Sequence, residues 1–416
     1  MRDAVVIGAG LAGLAATLRL ARGGAKVTLV TKGLGGLQLS QGTIDVLGYS
    51  EARVEDPLGA ISEHVSTRPT HPYTHFTPEF VGEAAAWLKE VLGPELLLGD
   101  PHANVLLPTA LGALRPTCLY QPSMAAGIAR AGRSYAIVGL RRLKDFYPTL
   151  IAENLSRQPG PDGEPIMARS IIVDVEIRKD EVDTTGTNHA RALDDPAMRA
   201  QLVAAIKPHL NEGEIVGLPA VLGLNDPGAW RDIADRLGHE VFEIPMQPPS
   251  IPGMRLNQAL TALVKKEARF ILGSAVTGVE AEDGVVRAVT ISTAGRPTRI
   301  ETKNVVLAGG GFESGALDMD SYGTLSETIL GLPVLAAEGQ LLHGDFWGSD
   351  QPVFLAGLEV DDDMHPLGAG KSPVYSNVYA AGGNLAGATR WREKSGEGIA
   401  LASALRAADQ ILGSLK

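Results

Sequence analysis

The chain has 416 residues, a formal net charge of −11 and a single cysteine, Cys118. This acidic balance argues against a nucleic-acid partner, and no segment reaches the roughly 18–20 consecutive apolar residues of a transmembrane helix. One thiol cannot hold an iron–sulfur cluster or an internal disulfide, and no other residues have zinc-ligand spacing, so we expect no metal. The length allows two or three domains, and the short first strand with Asp3 is unlike a signal peptide, so we expect a cytoplasmic protein.

The N-terminal segment has the pattern of a buried β-strand that runs directly into G-x-G-x-x-G and then into a helix of small and apolar residues. This order is the dinucleotide-binding fingerprint of a Rossmann βαβ unit. Gly8 allows the tight turn, Gly10 lets the backbone approach a pyrophosphate, and Gly13 lets helix and strand pack closely. Leu11 and Ala12 open the helix, whose free amides are expected to face the phosphate.

The second predicted strand, Lys26–Val30, ends without the acidic residue that usually binds the adenosine ribose. Thr31 and Lys32 stand there instead, and a lysine ammonium cannot accept a hydrogen bond. The phosphate-binding half of the fingerprint is therefore present and the ribose-binding half is missing. From these residues alone, the cofactor is either a dinucleotide held in another way or a cofactor without an adenosine ribose.

A glycine-rich loop with short polar side chains follows this strand. Loops at the carboxyl ends of strands lie on the ligand-binding side of an open α/β sheet, and glycines let backbone amides approach a ligand. We therefore expect this loop to contact the cofactor through Ser40, Gln41, Gly42 and Thr43.

Residues 51–251 lose the regular βαβ pattern and contain short elements of both kinds. We interpret them as an inserted α+β domain that binds the substrate. The predicted elements are the helices Glu79–Leu92, Asp145–Leu155 and Pro196–Leu210 and the strands Val105–Leu107, Ala136–Val138 and Ile171–Ile177.

The first domain resumes after the insertion. An amphipathic helix covers Met254–Ala268, and alternating segments between Arg269 and Thr302 predict a β-meander. Two buried strands that end in glycines follow, and a helix over Glu397–Leu412 closes the chain. The predicted fold class is α/β, with a discontinuous Rossmann-like, cofactor-binding domain and one inserted domain. The cofactor-binding domain comprises residues 1–50, 252–318 and 374–416, and residues 319–373 form a connecting segment near the site.

Three features in this order carry a resemblance: the N-terminal G-x-G-x-x-G, a V-V-L-A-G-G strand that includes Gly309 and Gly310, and a V-Y-A-A-G-G strand that ends at Gly383. The chain resembles flavoproteins with two dinucleotide-binding domains, in particular the fumarate reductase and succinate dehydrogenase branch. More narrowly, it is similar to the B subunits of anaerobic glycerol-3-phosphate dehydrogenases. The segments that carry this narrower match are Thr31–Gly33, Leu39–Asp45, Pro248–Arg255 and Gly357–Asp361.

The resemblance implies a quinone-linked enzyme that oxidises sn-glycerol 3-phosphate to glycerone phosphate. It implies two partners, an iron–sulfur subunit that docks on the membrane and a homologous flavoprotein subunit, and thus a peripheral place on the inner face of the membrane. It also implies FMN, whereas the intact glycine motif favours FAD, so a flavin is expected and its identity stays open. Two alternatives remain: a subunit that relays electrons without oxidising substrate, and a stand-alone flavin dehydrogenase or reductase of the fumarate reductase type.

The resemblance also implies flavin contacts near the C-terminus. In this class the last strand ends in Gly-Asp, and the acid holds the ribityl chain, whereas this chain has Gly383 and Asn384. An asparagine still hydrogen-bonds a hydroxyl, without the charge. The start of the final helix, with Gly396, Gly398 and Ile399, is expected to turn its amides and positive dipole end toward the flavin ring.

Oxidation of a phosphorylated alcohol requires cations for the phosphate and a base for the hydroxyl proton. Arg255 follows a proline-rich loop at the start of a helix, and Arg390 lies between the last strand and the final helix. Both are candidate phosphate ligands. His365 is the candidate base, with His343 and His102 as rivals.

Overall fold

The computed structural model describes residues 1–161, 163–345 and 348–416. No α-helix in these ranges combines the length and the apolar character needed to cross a lipid bilayer. The helices are α1 (Leu11–Arg22), α2 (Pro57–Ser66), α3 (Pro78–Leu92), α4 (Pro148–Arg157), α5 (Gly186–Ala192), α6 (Pro196–Ile206), α7 (Ala229–Leu237), α8 (Ile251–Glu267), α9 (Arg390–Glu393) and α10 (Gly396–Ser414).

The strands range in length from two to ten residues. They are β1 (Arg2–Ile7), β2 (Val27–Thr31), β3 (Leu98–Gly99), β4 (Val105–Pro108), β5 (Leu114–Thr117), β6 (Leu119–Tyr120), β7 (Ser134–Leu140), β8 (Met167–Val173), β9 (Ile215–Pro219), β10 (Val241–Ile244), β11 (Arg269–Leu272), β12 (Val276–Glu282), β13 (Val285–Ile291), β14 (Thr298–Leu307), β15 (Leu317–Met319), β16 (Leu325–Glu327) and β17 (Val378–Ala380).

The chain divides into two compact units. Unit 1 contains Met1–Gly36, Asp45–Leu88 and Ala259–Lys416, and unit 2 contains Leu37–Ile44 and Lys89–Gln258. These divisions differ from the predicted boundaries, since residues 51–88 group with unit 1. Hydrogen bonds within unit 1 explain the difference, because His71 bonds to Glu393 and Tyr73 bonds to Val46. The predicted connecting segment 319–373 also belongs to unit 1, apart from residues 346 and 347, which lie outside the described ranges.

The sheet of unit 1 has the order β11-β2-β1-β14-β13-β12, and β17 also pairs with β14. The pairs that β11, β2, β1, β14 and β17 form with one another are all parallel. The residues of β1 from Ala4 to Ile7 and all of β2 are buried, as expected for parallel strands covered on both faces. Their carboxyl ends therefore meet at one edge of the sheet, where the predicted glycines lie.

Strand β14 changes partners along its length. Its first residues, Thr298–Glu301, pair antiparallel with β13, and its later residues, Thr302–Leu307, pair parallel with β1. The sequence suggested two separate strands here. The predicted meander is therefore limited to β12, β13 and the start of β14, while β11 lies beside β2 as a parallel strand.

Unit 2 contains a four-stranded sheet of order β10-β9-β7-β8, in which every pair is parallel. Helices alternate with these strands, because parallel neighbours require crossover connections. The predicted α+β insertion therefore has a parallel α/β sheet as its largest element, together with the small antiparallel pairs β3–β6 and β4–β5. Strands β9 and β10 were not predicted from the sequence.

Candidate functional site

The three fingerprint glycines have different surroundings in unit 1. Gly8 has a φ of +106°, and a Cβ there would lie 2.2 Å from the carbonyl oxygen of Ala308. A Cβ on Gly13 would lie 2.0 Å from the carbonyl oxygen of Gly8, whereas a Cβ on Gly10 would meet nothing within 4 Å. Gly8 and Gly13 are thus required by packing, and Gly10 faces open space.

Helix α1 begins without a side-chain cap. Gly10 is its N-cap residue, and among the described residues no side chain accepts a hydrogen bond from the first turn, which starts at Leu11 and Ala12. The first amides of a helix have no partner inside the helix, and they carry the positive end of its dipole. This end of α1 is therefore suited to a phosphate group.

The glycines after β14 and β17 lie against each other. A Cβ on Gly311 would lie 2.9 Å from the carbonyl oxygen of Gly383, and a Cβ on Gly382 would lie 2.9 Å from the Cβ of Ala12. Gly310 has a φ of +86°, which glycine adopts readily. The start of α1 and the ends of β14 and β17 thus form one backbone surface, which we call the glycine cradle: Gly10, Gly309–Gly311 and Gly382–Gly383.

Asn384 follows the cradle and has an unsatisfied acceptor. The residue is 1% exposed, and its Nδ2 donates to the carbonyl oxygen of Leu307 at 2.9 Å. Its Oδ1 is buried and has no hydrogen-bond partner in the described structure. A buried acceptor without a partner costs about 1–3 kcal/mol. A hydroxyl donor would remove that cost, so Asn384 fits the ribityl hydroxyl of a flavin.

The segment after β2 offers no carboxylate. Thr31 is buried and its Oγ1 donates to the carbonyl oxygen of Gly33 at 2.6 Å, while Lys32 is exposed. A Cβ on Gly35 would lie 2.1 Å from the carbonyl oxygen of Ala9, so this loop packs beside the first turn of the fingerprint. Contacts of Thr31 and Lys32 with a cofactor stay predictions.

The amides at the start of α10 were expected to face the flavin, and the structure uses some of them elsewhere. The Gly398 amide donates to the carbonyl oxygen of Asp45 at 2.9 Å, and the Ile399 amide donates to that of Ser395 at 3.0 Å. A Cβ on Gly398 would lie 2.2 Å from the hydroxyl of Tyr73. These two amides are therefore used within the chain, and Gly398 is explained by close packing. A cofactor contact at this helix end would have to come from Gly396.

The loop Ser40–Thr43 belongs to unit 2. The Oγ of Ser40 accepts from the Gly42 amide at 3.2 Å, and Gln121 donates to the Gly42 carbonyl oxygen at 3.2 Å. Arg115 donates to the Thr43 hydroxyl at 3.1 Å. The loop, including Gln41, is thus held by side chains of its own unit, and its role toward a cofactor stays a prediction.

The N–H donors of Arg255 are used within unit 2 and are not available to a substrate phosphate. Its Nη1 and Nη2 bond to Glu243 at 2.6 and 3.0 Å, and Nη1 also donates to Gln121 at 3.3 Å. Its Nε and Nη2 donate to the carbonyl oxygen of Gly223. These bonds account for all five N–H groups of a guanidinium. The geometry therefore gives Arg255 a structural role and does not support the expected contact with a substrate phosphate.

Arg390 is the predicted residue that lies beside the glycine cradle. The described structure gives its guanidinium one hydrogen bond, from Nη1 to the carbonyl oxygen of Leu385 at 3.3 Å. A Cβ on Gly311 would lie 3.2 Å from Nη2. Burial lowers the pKa of Arg390, although the nearby charges of Glu313 and Glu393 oppose this effect. The group is thus a desolvated cation with donors left for an anion.

Glu313 also lies close to Gly311, on the same side as Arg390, and was not found from the sequence. Its Oε1 accepts from the Gly311 amide at 3.2 Å, and a Cβ on Gly311 would lie 2.8 Å from its Oε2. The cradle is therefore flanked by a guanidinium and a carboxylate. The only sequence feature that marks Glu313 is its position two residues after a glycine at the end of a strand, and this is a weak signal.

His365 lies beside β17, because the carbonyl oxygen of the preceding residue, Met364, accepts from the Ala380 amide at 2.8 Å. Its Nδ1 is 3.1 Å from Asp361, and its ring lies 4.5 Å from that of Tyr379. The segment that carries it contacts Arg406, in the second half of α10. At 1.5 Å per residue, that position is about 15 Å along α10 from its start. This placement gives no support to His365 as the base, and the assignment stays a prediction.

The parallel sheet of unit 2 has a switch point between β7 and β9, the position where open α/β sheets commonly bind ligands. A segment of the chain covers it. The Thr184 amide donates to the carbonyl oxygen of Arg142 after β7, and Gly186 lies 3.5 Å from Val221 after β9, measured from an added Cβ. Within the described residues, this edge is occupied by the protein itself.

Comparison with known proteins agrees with this geometry. The family model described as an FAD binding domain matches residues 3–399. The chain is 31% identical over 430 residues to the anaerobic glycerol-3-phosphate dehydrogenase B subunit of Pectobacterium atrosepticum, covering 99% of this chain and 98% of that protein. The chain belongs to the B-subunit family of anaerobic glycerol-3-phosphate dehydrogenases, within the FAD-binding flavoproteins.

Another relative in this B-subunit family is the probable B subunit of Halobacterium salinarum strain R1. It is 31% identical over 420 residues, which cover 96% of this chain and 95% of the relative. Membership confirms the resemblance and the α/β, Rossmann-like fold class that were predicted from the sequence. The matched family model is described for FAD, so FMN gains no support from it.

Solved structures similar to this B-subunit family member include an open flavocytochrome c3 fumarate reductase, with a TM-score of 0.46 and 12% identity, covering 99% of this chain and 78% of that one. A 3-ketosteroid delta1-dehydrogenase from Sterolibacterium denitrificans has a TM-score of 0.43 and 11% identity, covering 99% of both chains.

Proposed function

We propose that this chain is the FAD-binding subunit of an anaerobic, quinone-linked glycerol-3-phosphate dehydrogenase and that it oxidises sn-glycerol 3-phosphate to glycerone phosphate. The pyrophosphate of FAD would lie at the uncapped start of α1, opposite Gly10. The ribityl chain would meet the unpaired Oδ1 of Asn384. Family membership supports FAD as the cofactor and supports a role in the dehydrogenase complex. The open space beside Gly10 and the unpaired Oδ1 of Asn384 support the proposed position of FAD in unit 1.

The observation that carries the catalytic part is Arg390. Its guanidinium stands at the glycine cradle with most of its donors uncommitted, and arginine suits phosphate because of its paired N–H groups. We assign it to the substrate phosphate. The bound flavin would supply the hydride acceptor. Glu313, which lies on the same side of Gly311 as Arg390, is the carboxylate placed to accept the hydroxyl proton.

The test is anaerobic titration of the purified, flavin-loaded protein with sn-glycerol 3-phosphate. Loss of the oxidised flavin absorbance is the expected result, and chromatography of the heat-released cofactor should give FAD. Arg390→Ala should weaken substrate binding at least about tenfold, the value of one charge-assisted hydrogen bond. Arg392→Ala is the matched control, because this neighbour on α9 is exposed and pairs with Asp350. Equal behaviour of both variants would contradict the assignment.

A second candidate is an electron-relay subunit that holds FAD without oxidising substrate. It is favoured by one observation: of the three predicted catalytic residues, only Arg390 stands at the cradle, whereas Arg255 is committed to Glu243 and His365 lies beside the second half of α10. In this case, substrate would leave the flavin of the purified chain oxidised. Reduction would require the homologous flavoprotein subunit, with electrons reaching quinone at the membrane through the iron–sulfur subunit.

A further inference from the structure

A buried polar cluster of unit 1 includes the last residue of α9, the helical turn that begins with Arg390. His64, His71 and Glu393 have side chains that are 1%, 0% and 9% exposed. The Nε2 atoms of His71 and His64 lie 3.1 and 3.8 Å from the Oε2 of Glu393. We call these three residues the Glu393 clamp. Glu393 is the last residue of α9, the single turn that begins with Arg390.

The clamp has the composition of a metal site, but its hydrogen bonds argue against one. The Nδ1 of His71 accepts from the Tyr73 amide at 3.1 Å. A neutral imidazole that accepts at Nδ1 carries its proton on Nε2, which leaves no lone pair there for a metal. His71 therefore donates to Glu393. The same carboxylate oxygen accepts from Ser395 at 2.9 Å, so donors already surround it.

The carboxylate of Glu393 is held in its charged form. Burial alone would raise its pKa, but the close contacts with His64 and His71 and the hydrogen bond from Ser395 outweigh burial and keep the pKa well below its usual range. Burial lowers the pKa of His71, while the carboxylate opposes that shift. The result is a buried carboxylate that accepts hydrogen bonds from His71 and Ser395.

The other end of the same carboxylate fixes the start of α9. Its Oε1 accepts from both the amide and the hydroxyl of Thr389, each at 3.1 Å. The carbonyl oxygen of Glu393 accepts from the amides of Gly48 and Tyr49 at 2.8 and 2.9 Å. Thr389 and Glu393, which enclose Arg390, are therefore hydrogen-bonded to each other. Glu393 is also hydrogen-bonded to the segment Gly48–Tyr49.

Close packing supports this arrangement from a third direction. Gly387 has a φ of +93°, and a Cβ there would lie 2.0 Å from the carbonyl oxygen of Thr70, the residue before His71. The segment that leads into Thr389 thus lies directly on the segment that carries the clamp. Little freedom is left for the backbone of Arg390.

We propose that Glu393 is a positioning residue: anchored by His71 and Ser395, it fixes the turn Thr389–Glu393 so that the Arg390 guanidinium faces the glycine cradle. The inference rests on the proposed role of Arg390. It adds that phosphate affinity depends on a carboxylate that does not touch the phosphate.

The test uses Glu393→Gln in the flavin-loaded protein. The amide keeps the size and one acceptor, but it loses the charge and turns N–H groups toward existing donors. We expect the dissociation constants of sn-glycerol 3-phosphate and inorganic phosphate to rise about fivefold, with flavin affinity and flavin spectrum unchanged. Adding Arg390→Ala to this variant should weaken phosphate binding no further than Arg390→Ala alone, because both changes act through one contact.

Asn377→Ala is the matched control. Asn377 is a buried polar residue of unit 1 whose side chain makes three hydrogen bonds, to Val286 and Lys303, away from α9. The change should lower the free energy of unfolding without altering phosphate affinity. If Glu393→Gln behaves in the same way, the positioning role is wrong while that of Arg390 stands. If Arg390→Ala leaves phosphate affinity unchanged, the proposed function itself fails.

Should Glu393→Gln not fold, Thr389→Val replaces it. This change removes the hydroxyl that lies 3.1 Å from Oε1 of Glu393 and 3.2 Å from Oδ2 of Asp350, and it keeps the Thr389 amide that donates to Oε1. A smaller rise in the phosphate dissociation constant, at unchanged flavin affinity, would support the positioning role. An unchanged dissociation constant in a folded Thr389→Val protein would count against it.

Discussion

Arg255 and Glu243 form a bidentate ion pair inside unit 2, with side chains that are 6% and 0% exposed. Glu243 also accepts from the Leu222 amide at 2.8 Å. Removing one member of such a pair leaves the other charge buried without compensation. Arg255 therefore stabilises unit 2 through this pair, although its sequence context predicts a phosphate ligand.

We predict that Arg255→Met lowers the free energy of unfolding by about 3–5 kcal/mol, because it strands the Glu243 carboxylate. The double variant Arg255→Met, Glu243→Gln should recover part of this loss, since glutamine is neutral and still accepts from Leu222. Urea unfolding of the three proteins measures both effects. A stable Arg255→Met protein with weakened phosphate binding would instead restore Arg255 as a substrate ligand.

Substitutions of two fingerprint glycines should have different effects, one on the free energy of unfolding and the other on FAD binding. Gly13→Ala places a Cβ 2.0 Å from the Gly8 carbonyl oxygen, so we expect a loss of about 3 kcal/mol or an unfolded protein. Gly10→Ala meets no protein atom and should change the free energy of unfolding by less than about 0.5 kcal/mol. Its methyl group faces the proposed pyrophosphate, so the FAD dissociation constant should rise about tenfold or more. Normal FAD affinity in Gly10→Ala would place the cofactor elsewhere.

Asn384 should contribute to flavin binding through its unpaired Oδ1. Asn384→Ala removes that acceptor together with the donor to Leu307. We expect weaker flavin binding, by about fivefold to tenfold for one hydrogen bond, when fluorescence of released flavin is followed on dilution. Asn304→Ala, which removes the bond to the Asp3 carbonyl oxygen at the other end of the sheet, is the control and should leave flavin affinity unchanged.

Glu214 should make stability depend on pH in acid. The hydrogen bond from Arg169 is the main cause that lowers the pKa of Glu214 from 4.5 to about 2. Because the folded-state pKa is the lower one, the stabilisation is complete above pH 4.5 and disappears as the pH falls toward about 2. The shift corresponds to about 2–3 kcal/mol once partial exposure of Arg169 is allowed for.

The measurement compares the unfolding free energies of the wild type and Glu214→Gln across that range. The difference should be largest at about pH 6 and should shrink steadily as the pH falls toward about 2. Glu280→Gln is the control, since Glu280 pairs with Arg299 on the surface and such pairs contribute less than about 1 kcal/mol. A constant difference for Glu214→Gln would show that its pKa is not lowered.

The sequence predicted the βαβ start of the chain well because that unit depends on local chemistry. Gly8 and Gly13 are dictated by contacts within one βαβ unit, and helix α3 was placed within one residue of its start. Strands β9 and β10 were missed because they are short and carry a glycine, a proline and a glutamate within buried segments. Their burial follows from pairing with β7 and with each other, which no local pattern reveals.

The candidate site was harder to predict than the fold. Arg255 and Arg390 have similar sequence contexts, each between a loop and a helix, and only the position of Glu243 separates a committed arginine from an available one. Glu313 carries no motif. Its place beside Arg390 follows from the meeting of two strand ends that are far apart in the chain, so residue type and spacing could not identify it.

The pairing of β1 with β14 sets an order of events during synthesis. Ile7 lies opposite Leu307, so the first strand waits for three hundred further residues before its second neighbour exists. At ribosomal speeds of about 5–20 residues per second, this wait lasts roughly 15 to 60 s. During that time the βαβ start of the chain presents an unpaired apolar edge, the kind of surface that aggregates. Chaperones that shield nascent strands should therefore raise the yield of folded protein.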